Sequence, residues 1–588
     1  MPTLKIISGG VRLPLTVLIY KSNRRFSMNA AYSTLRSGIF LILTLLLAFA
    51  PLSSLTAAPA VPDGGSILQE IKPLLPQQSS FGEAKLKIEQ QDLSASPQSK
   101  PFLVDTILIS GNTLFDSATL LGLVSDARGQ MLTLQQVSDL AARITTYYKG
   151  KGYPLSRAII PAQTITSGVI TIEIIEARYG SISLVNSSRV KDALLKSTLS
   201  SLKSDDPIKQ IDIDHVLLML SDIPGVMLSG TLSPGEQVRT SDLLVDVKTG
   251  RTFSGNVIID NYGNRYTRRE RIGVALNIFN WQHLGDTFSV NALSSGSGMK
   301  FGYLGYEAQL NGIATRLGGS YSLFDYTLGE PFTYLNAHGT GYTGSLWIKQ
   351  CLMRSRKVNL YGQIQYDRVS LRDRVDVIGS QKDRILSNGT ASLSGDARDV
   401  LLPRGIVTFS LSCTAGMVDF DNADALVADE VTAQTQGHFY KLNTSIARLQ
   451  ALTSASALYI SYASQWANTN LDSSQKMNIG GPNSVRAYDI GTVSGDSGYF
   501  ISGEFRQDLG GQWQALAFID NAKIKINKNT LTADKNSSLL SGAGIGLHWS
   551  GTDSWDIKGY LAKPIGSIPE GAGDTKSTRI WLNVCRRF

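Results

Sequence analysis

From Arg251 onward the chain alternates in polarity. Phe288, Val290 and Ala292 interleave with Thr287, Ser289 and Asn291, and Val407, Phe409 and Leu411 interleave with Thr408, Ser410 and Ser412. Tyr499, Ile501 and Phe505 do the same with Ser502, Glu504 and Arg506. A period of two is a β-strand with distinct faces, and a polar face that includes charge suits lipid outside and a wet lumen inside. Sixteen such segments begin near residues 252, 271, 287, 300, 316, 341, 357, 385, 405, 436, 457, 498, 514, 538, 555 and 578. About 21 residues per strand and connection fits a transmembrane barrel, whose strands need roughly ten residues each. The last segment sets Ile580, Leu582, Val584 and Phe588 on one face, broken only by Arg586, which is close enough to the strand end to snorkel.

Upstream the pattern is that of small α/β units. Leu103 to Ser110 reads as a strand closed by Gly111-Asn112, Asp116 to Leu123 as a short helix with Asp116 as N-cap, and Thr133 to Lys149 as a longer helix stopped by Gly150. Strands at Ser156 to Pro161 and Gly168 to Glu176 follow, and the order then repeats from Gly180 to Val247. Two copies of about 75 residues make an internal repeat. Before them, Ile67, Leu68 and Ile71 recur at helical spacing in a segment from Ser66 to Leu75 that Pro73 ends, and residues 77–100 read as a polar linker. Ile39 to Ala50 is an apolar stretch flanked by Arg36 and by Ala58-Pro59-Ala60. It reads as a signal peptide, with translation expected to start at Met28.

Composition narrows the class. The chain has 588 residues with 55 Gly, 22 Tyr and 42% hydrophobic positions, but no apolar run after residue 60 long enough for a spanning helix. The net charge of +8 comes without a Lys/Arg block, so no nucleic-acid partner is indicated. Cys351, Cys413 and Cys585 form no metal or redox motif, and no cofactor, metal or nucleotide is expected. Gly495-Asp496-Ser497-Gly498 spells a serine-protease tetrapeptide, yet none of the five His can be paired with it as a base. Gly542, Gly544 and Gly546 lack the strand-turn-helix context of a phosphate loop and read as strand glycines.

The run Lys151-Gly152-Tyr153-Pro154-Leu155-Ser156-Arg157-Ala158-Ile159-Ile160-Pro161-Ala162-Gln163, followed by Gly168 and Ile172-Glu173-Ile174-Ile175-Glu176, resembles the first POTRA domain of the two-partner secretion transporters, the TpsB family of haemolysin and haemagglutinin exporters. The second copy is similar to that family's second POTRA domain. Val485-Arg486-Ala487-Tyr488, in a long polar connection from Trp466 to Ser494, resembles the family's VRGY motif on the loop that folds into the lumen. Phe518, Asp520 and Ala522 resemble its FxDxG partner on the inner wall, and both departures replace Gly by Ala.

The resemblance implies an all-β, 16-stranded transmembrane barrel preceded by two POTRA domains and a plug helix. The expected organisation is signal peptide 1–60, plug helix 61–75 carrying Ile67, Leu68 and Ile71, linker 76–100, POTRA domains 101–178 and 179–249, and barrel 250–588. Its place is the outer membrane, with the POTRA domains in the periplasm and lipid around the barrel. It further implies an Arg486–Asp520 pair that pins the loop, and a client surface on the first POTRA domain at Arg157, Ile159, Ile160, Ile170, Ile172 and Ile174. The partner is a secreted TpsA-type exoprotein, and no catalysis is expected. A BamA-like insertase would need more POTRA copies than these roughly 150 residues hold. A barrel enzyme or passive porin would have no use for the pair.

Overall fold

The computed structural model describes residues 4–8, 11–15, 61–71, 85–88, 99–165, 167–399, 401–530, 535–566 and 578–588. The apolar leader Ile39 to Ala50, Leu74 and Leu75 lie outside these. Sixteen antiparallel strands close a barrel in which each strand pairs with its sequence neighbours, and the first, Phe253–Asp260, meets the last, Arg579–Arg587. Closure leaves no unpaired edge, the condition for backbone polar groups to survive in hydrocarbon. Outward positions such as Leu346 (65% exposed) and Ile364 (66%) are large and apolar, a penalty in water that lipid removes. Arg586 points its guanidinium at the Trp555 ring, 5.5 Å from the centroid.

The alternation places these strands well, with the largest offsets at the sixth and eighth. They begin at Ala337 and Ser380 and run for 18 and 19 residues. Their extra residues, Ala337-His338-Gly339-Thr340 and Ser380-Gln381-Lys382-Asp383, continue the ladders past the alternating stretch, and the two-residue signal lapses there.

The first α/β unit is a three-stranded sheet in the order Thr106–Ser110, Val169–Ile175, Arg157–Ile159, covered by helices Ser117–Gly122 and Leu134–Gly150. Thr133 and Gln136 form a capping box at the start of the longer helix, and Asp116 caps the shorter. Val169–Ile175 is the central strand, and Ile170, Ile172 and Ile174 are at most 1% exposed in the core beneath it. These three therefore cannot be the client-facing residues that the sequence suggested. The alternation was apolar because that face packs on the helices. Ile160 likewise leans on the core, while Arg157 and Ile159 belong to the edge strand.

The second unit is a four-stranded sheet in the order Lys85–Ile88, Val226–Pro234, Thr240–Thr249, Arg178–Ser187. Its outermost strand comes from the segment read as linker and runs parallel to Val226–Pro234. Leu86 and Ile88 rest on the domain's core. Two apolar residues are too few to register as a pattern, and only the waiting sheet edge makes them a strand.

This unit grips the barrel through its short turns. Asp222 accepts from Arg354 Nε at 2.6 Å and Nη2 at 2.8 Å, Asp214 pairs with Arg356 at 2.7 Å, and the Lys191 amide donates to the His283 carbonyl at 3.1 Å. These turns are hence the periplasmic end, and the longer connections are extracellular. Ile172→Ala should cost about 2–5 kcal/mol through the cavity it leaves in the first α/β unit. Limited proteolysis should then cut residues 102–177 faster while the barrel keeps its heat-resistant gel migration.

Candidate functional site

The connection between the eleventh strand, Ser456–Ala467, and the twelfth, Ser497–Gly510, turns back into the lumen. A short ribbon of Met477–Ile479 and Val493–Gly495 starts and ends it. Gly480 and Gly481 then take φ of +103° and +98°, the left-handed region that lets the chain reverse without a Cβ clash. Val485, Ala487 and Tyr488 at the tip are fully buried against Phe518, Ala522, Ile524 and Leu540 of the wall.

Arg486 lies at the centre of this contact. Its Nε donates to Asp520 Oδ2 at 2.9 Å and its Nη2 to Asp520 Oδ1 at 2.7 Å, a two-pronged grip, and its backbone N–H donates to Oδ2 at 3.1 Å. Nη1 reaches Glu504 Oε1 at 2.6 Å, Ser502 Oγ accepts from Nη2 at 2.9 Å, and the guanidinium sits 3.4 Å from the Phe518 ring centroid. Arg506 donates to Glu504 at 2.8 Å, so two cations face two carboxylates and the buried cluster is balanced. Trp581 of the last strand donates to the Arg486 carbonyl at 2.7 Å. The loop is thereby tied to the twelfth, thirteenth and sixteenth strands.

Neither Ala487 nor Ala522 adopts a positive φ, so the Gly-to-Ala departures do not strain the backbone. Room comes from Gly542, which lies opposite Asp520 in register and where an added Cβ would fall 2.4 Å from that of Ala487. The methyl of Ala487 occupies the space that Gly542 leaves.

Two further arginine–carboxylate nodes hold the lumen contents. Asp489 of the loop accepts from Arg269 at 3.0 Å and pairs with Arg579 at 3.0 Å and Arg265 at 3.9 Å. Arg384, on the eighth strand and 0% exposed, contacts Asp472 of the loop at 2.5 Å, Asp373 of the wall at 2.5 Å and Asp63, just before the plug helix, at 2.9 Å. That helix, Gly64–Ile71, crosses the extracellular end of the lumen. Its Ile67, Leu68 and Ile71 pack on Leu371, Leu386, Val418 and Phe439, and its first amide donates to Asp373 at 2.7 Å.

Two plug carboxylates are tuned oppositely. Burial acts to raise Asp63, but Arg384 and Lys382 overcome it and hold the group below the ordinary carboxylate range. Glu70 takes a hydrogen bond from Asn264 at 2.6 Å, and burial pushes it up to about 7 against the weaker pull of Asn264 and Arg271.

The structure thus brings Val485, Arg486, Ala487, Tyr488, Phe518, Asp520 and Ala522 into one cluster and seats Ile67, Leu68 and Ile71 in the lumen. Arg157 and Ile159 are elsewhere, on the periplasmic sheet edge. Sequence reasoning missed Glu504, Trp581, Asp489 and Arg384 as anchors, although Glu504 and Arg506 stood on the polar face of an alternating strand.

A closed sixteen-stranded barrel with periplasmic α/β units, an inward loop and a plug defines an outer-membrane transporter. The profile of the haemolysin secretion/activation proteins ShlB/FhaC/HecB matches residues 239–549, and that of the ShlB-type POTRA domain matches residues 102–177. The chain belongs to the ShlB/FhaC/HecB family of two-partner secretion transporters. It is 26% identical over 541 residues to the heme/hemopexin transporter protein HuxB of Haemophilus influenzae, covering 90% of this chain and 95% of that one. The outer membrane transporter CdiB of Dickeya dadantii is 23% identical over 74% of this chain and 78% of its own. In fold, the solved CdiB of Escherichia coli superimposes with a TM-score of 0.65 at 20% identity, over 91% of this chain and all (100%) of that one.

Arg486→Ala leaves Asp520 with no cation, only the Ser502 hydroxyl and the backbone amide of residue 486, and should loosen the loop, at about 3–5 kcal/mol for a buried pair broken from one side. Asp520→Ala should be milder because Glu504 remains, and the double variant should cost less than the sum. Frequent channel openings in planar bilayers are the readout, and Gly542→Ala should raise them too by displacing Ala487.

Because docking raises Glu70, the docked plug favours the protonated carboxyl. That contribution is full below the ordinary carboxylate value and is lost as pH rises through about 7. Openings should therefore become more frequent as pH rises from about 4.5 to about 7 and level off above it. Glu70→Gln should flatten this dependence.

Proposed function

We propose that this protein exports one secreted exoprotein from the periplasm to the cell surface, recognising it in the unfolded state through the first POTRA domain and passing it through the barrel once the plug has left. The observation that carries this reading is the plug itself: a helix held across the lumen by a few side chains is removable, as a fixed constriction would not be. Nothing in the proposal calls for catalysis, a cofactor or a nucleotide, and folding of the exported chain outside supplies the drive.

Recognition is assigned to the edge strand Arg157–Ile159, to which an extended client segment can add by main-chain hydrogen bonds. The relatives named heme/hemopexin transporters put an exoprotein of heme or hemopexin acquisition first among clients to test. Deleting the gene and comparing secreted proteins should remove one large protein from the surface and medium. An unchanged secretome would overturn the reading, and a general loss of outer-membrane barrels would favour an insertase. Ile159→Asp should lower export of that protein severalfold while the barrel still inserts. Normal export by the stable variant would move recognition elsewhere.

A further inference from the structure

The barrel interior has two unlike walls. On one, polar side chains are already engaged: Arg486, Asp520, Glu504 and Arg506 in the loop anchor, Arg271 on Asp260 at 2.9 Å, and Ser289 on Asn277 at 2.7 Å. The other wall, formed by the eighth strand Ser380–Arg398, the ninth Gly405–Phe420 and the tenth Gly437–Ala451, is different in kind. Its mid-height inner face is a patch of small hydroxyls and one amide in lateral register. Ser394 lies opposite Ser410 and Ser410 opposite Ser445, while Ser392 lies opposite Ser412 and Ser412 opposite Asn443.

None of the five serine hydroxyls is hydrogen-bonded to another described residue, and all six side chains stand partly or fully open to the lumen. Along the eighth strand the inner face carries no charge from Leu386 through Asn388, Thr390 and Ser392 to Ser394. The plug helix rests above this patch, on the apolar ledge of Leu371, Leu386, Val418 and Phe439.

We infer that this wall is the track along which an extended client polypeptide slides, an assignment that rests on the export function proposed above. A serine hydroxyl both donates and accepts, so a row of them meets backbone N–H and C=O groups of any sequence. Each such bond exchanges with one to water and is worth little net, so a passing chain is held close but never trapped. A charged wall would select among clients and an apolar one would retain them. The general polarity of barrel interiors does not account for the patch, because the opposite wall is polar through charge, with Arg271 on Asp260 and Arg486 and Arg506 on Asp520 and Glu504, whereas the serine patch carries none.

The test places a photo-crosslinking amino acid at Ser392, Ser410 or Asn443, and at Asn277 or Ser289 on the opposite wall, in the full chain. The probe is the exoprotein whose secretion the gene deletion abolishes. Adducts at the first three positions and none at the last two are expected, and the reverse pattern overturns the track while leaving export intact. If the deletion abolishes no secreted protein, both readings fall.

A second measurement uses charge. Ser394→Asp with Ser410→Asp sets two like charges opposite each other on the track and should lower export severalfold, whereas Asn277→Asp with Ser289→Asp, equally opposed in register, should leave it near wild type. Heat-resistant migration of both variants shows that the barrel has formed. Equal export by both would overturn the inference.

Discussion

A guanidinium that has left bulk water stays where carboxylates meet it, and the contents of this lumen depend on that constraint. The inward loop has little regular structure, and the plug helix has only two turns, so neither could hold a position inside a wide wet channel by backbone bonding alone. Arg486, Asp489 and Arg384 supply the missing fixity. Each node joins elements far apart in sequence, and each unites the loop with the wall. Apolar packing then completes what charge has located: Val485 and Tyr488 at one node, Ile67 and Ile71 near another.

The anchors divide by what they join. Arg486 binds the loop to the twelfth and thirteenth strands, and Trp581 of the last strand also reaches its carbonyl. Arg384 binds loop, wall and plug to one another. The second POTRA domain, held to the periplasmic turns by Asp222 and Arg354, completes a rigid frame around a removable centre.

The barrel was legible because lipid imposes its two-residue rule on every strand, and the rule failed only at the first residues of the long sixth and eighth strands. Arg486 and Asp520 were legible as a motif. Glu504 was not, because a carboxylate facing a lumen looks the same in sequence whether it meets water or a guanidinium. Ile170, Ile172 and Ile174 misled for the converse reason: an apolar strand face announces burial without saying against what. The strand Lys85–Ile88 was invisible, since its partner is a distant edge, Ser229 lying opposite Lys85, that no local pattern records.

The node at Arg384 has an arithmetic of its own. Asp63, Asp373 and Asp472 surround Arg384, and Lys382 lies 3.7 Å from Asp63, so three carboxylates share two cations while the plug is seated. Withdrawing the plug takes Asp63 away, releases Lys382 from it, and leaves Arg384 between Asp373 and Asp472. The loop keeps its own grip on Arg384 through Asp472, so it has no electrostatic reason to follow the plug. Opening and closing can repeat around a loop that stays in place.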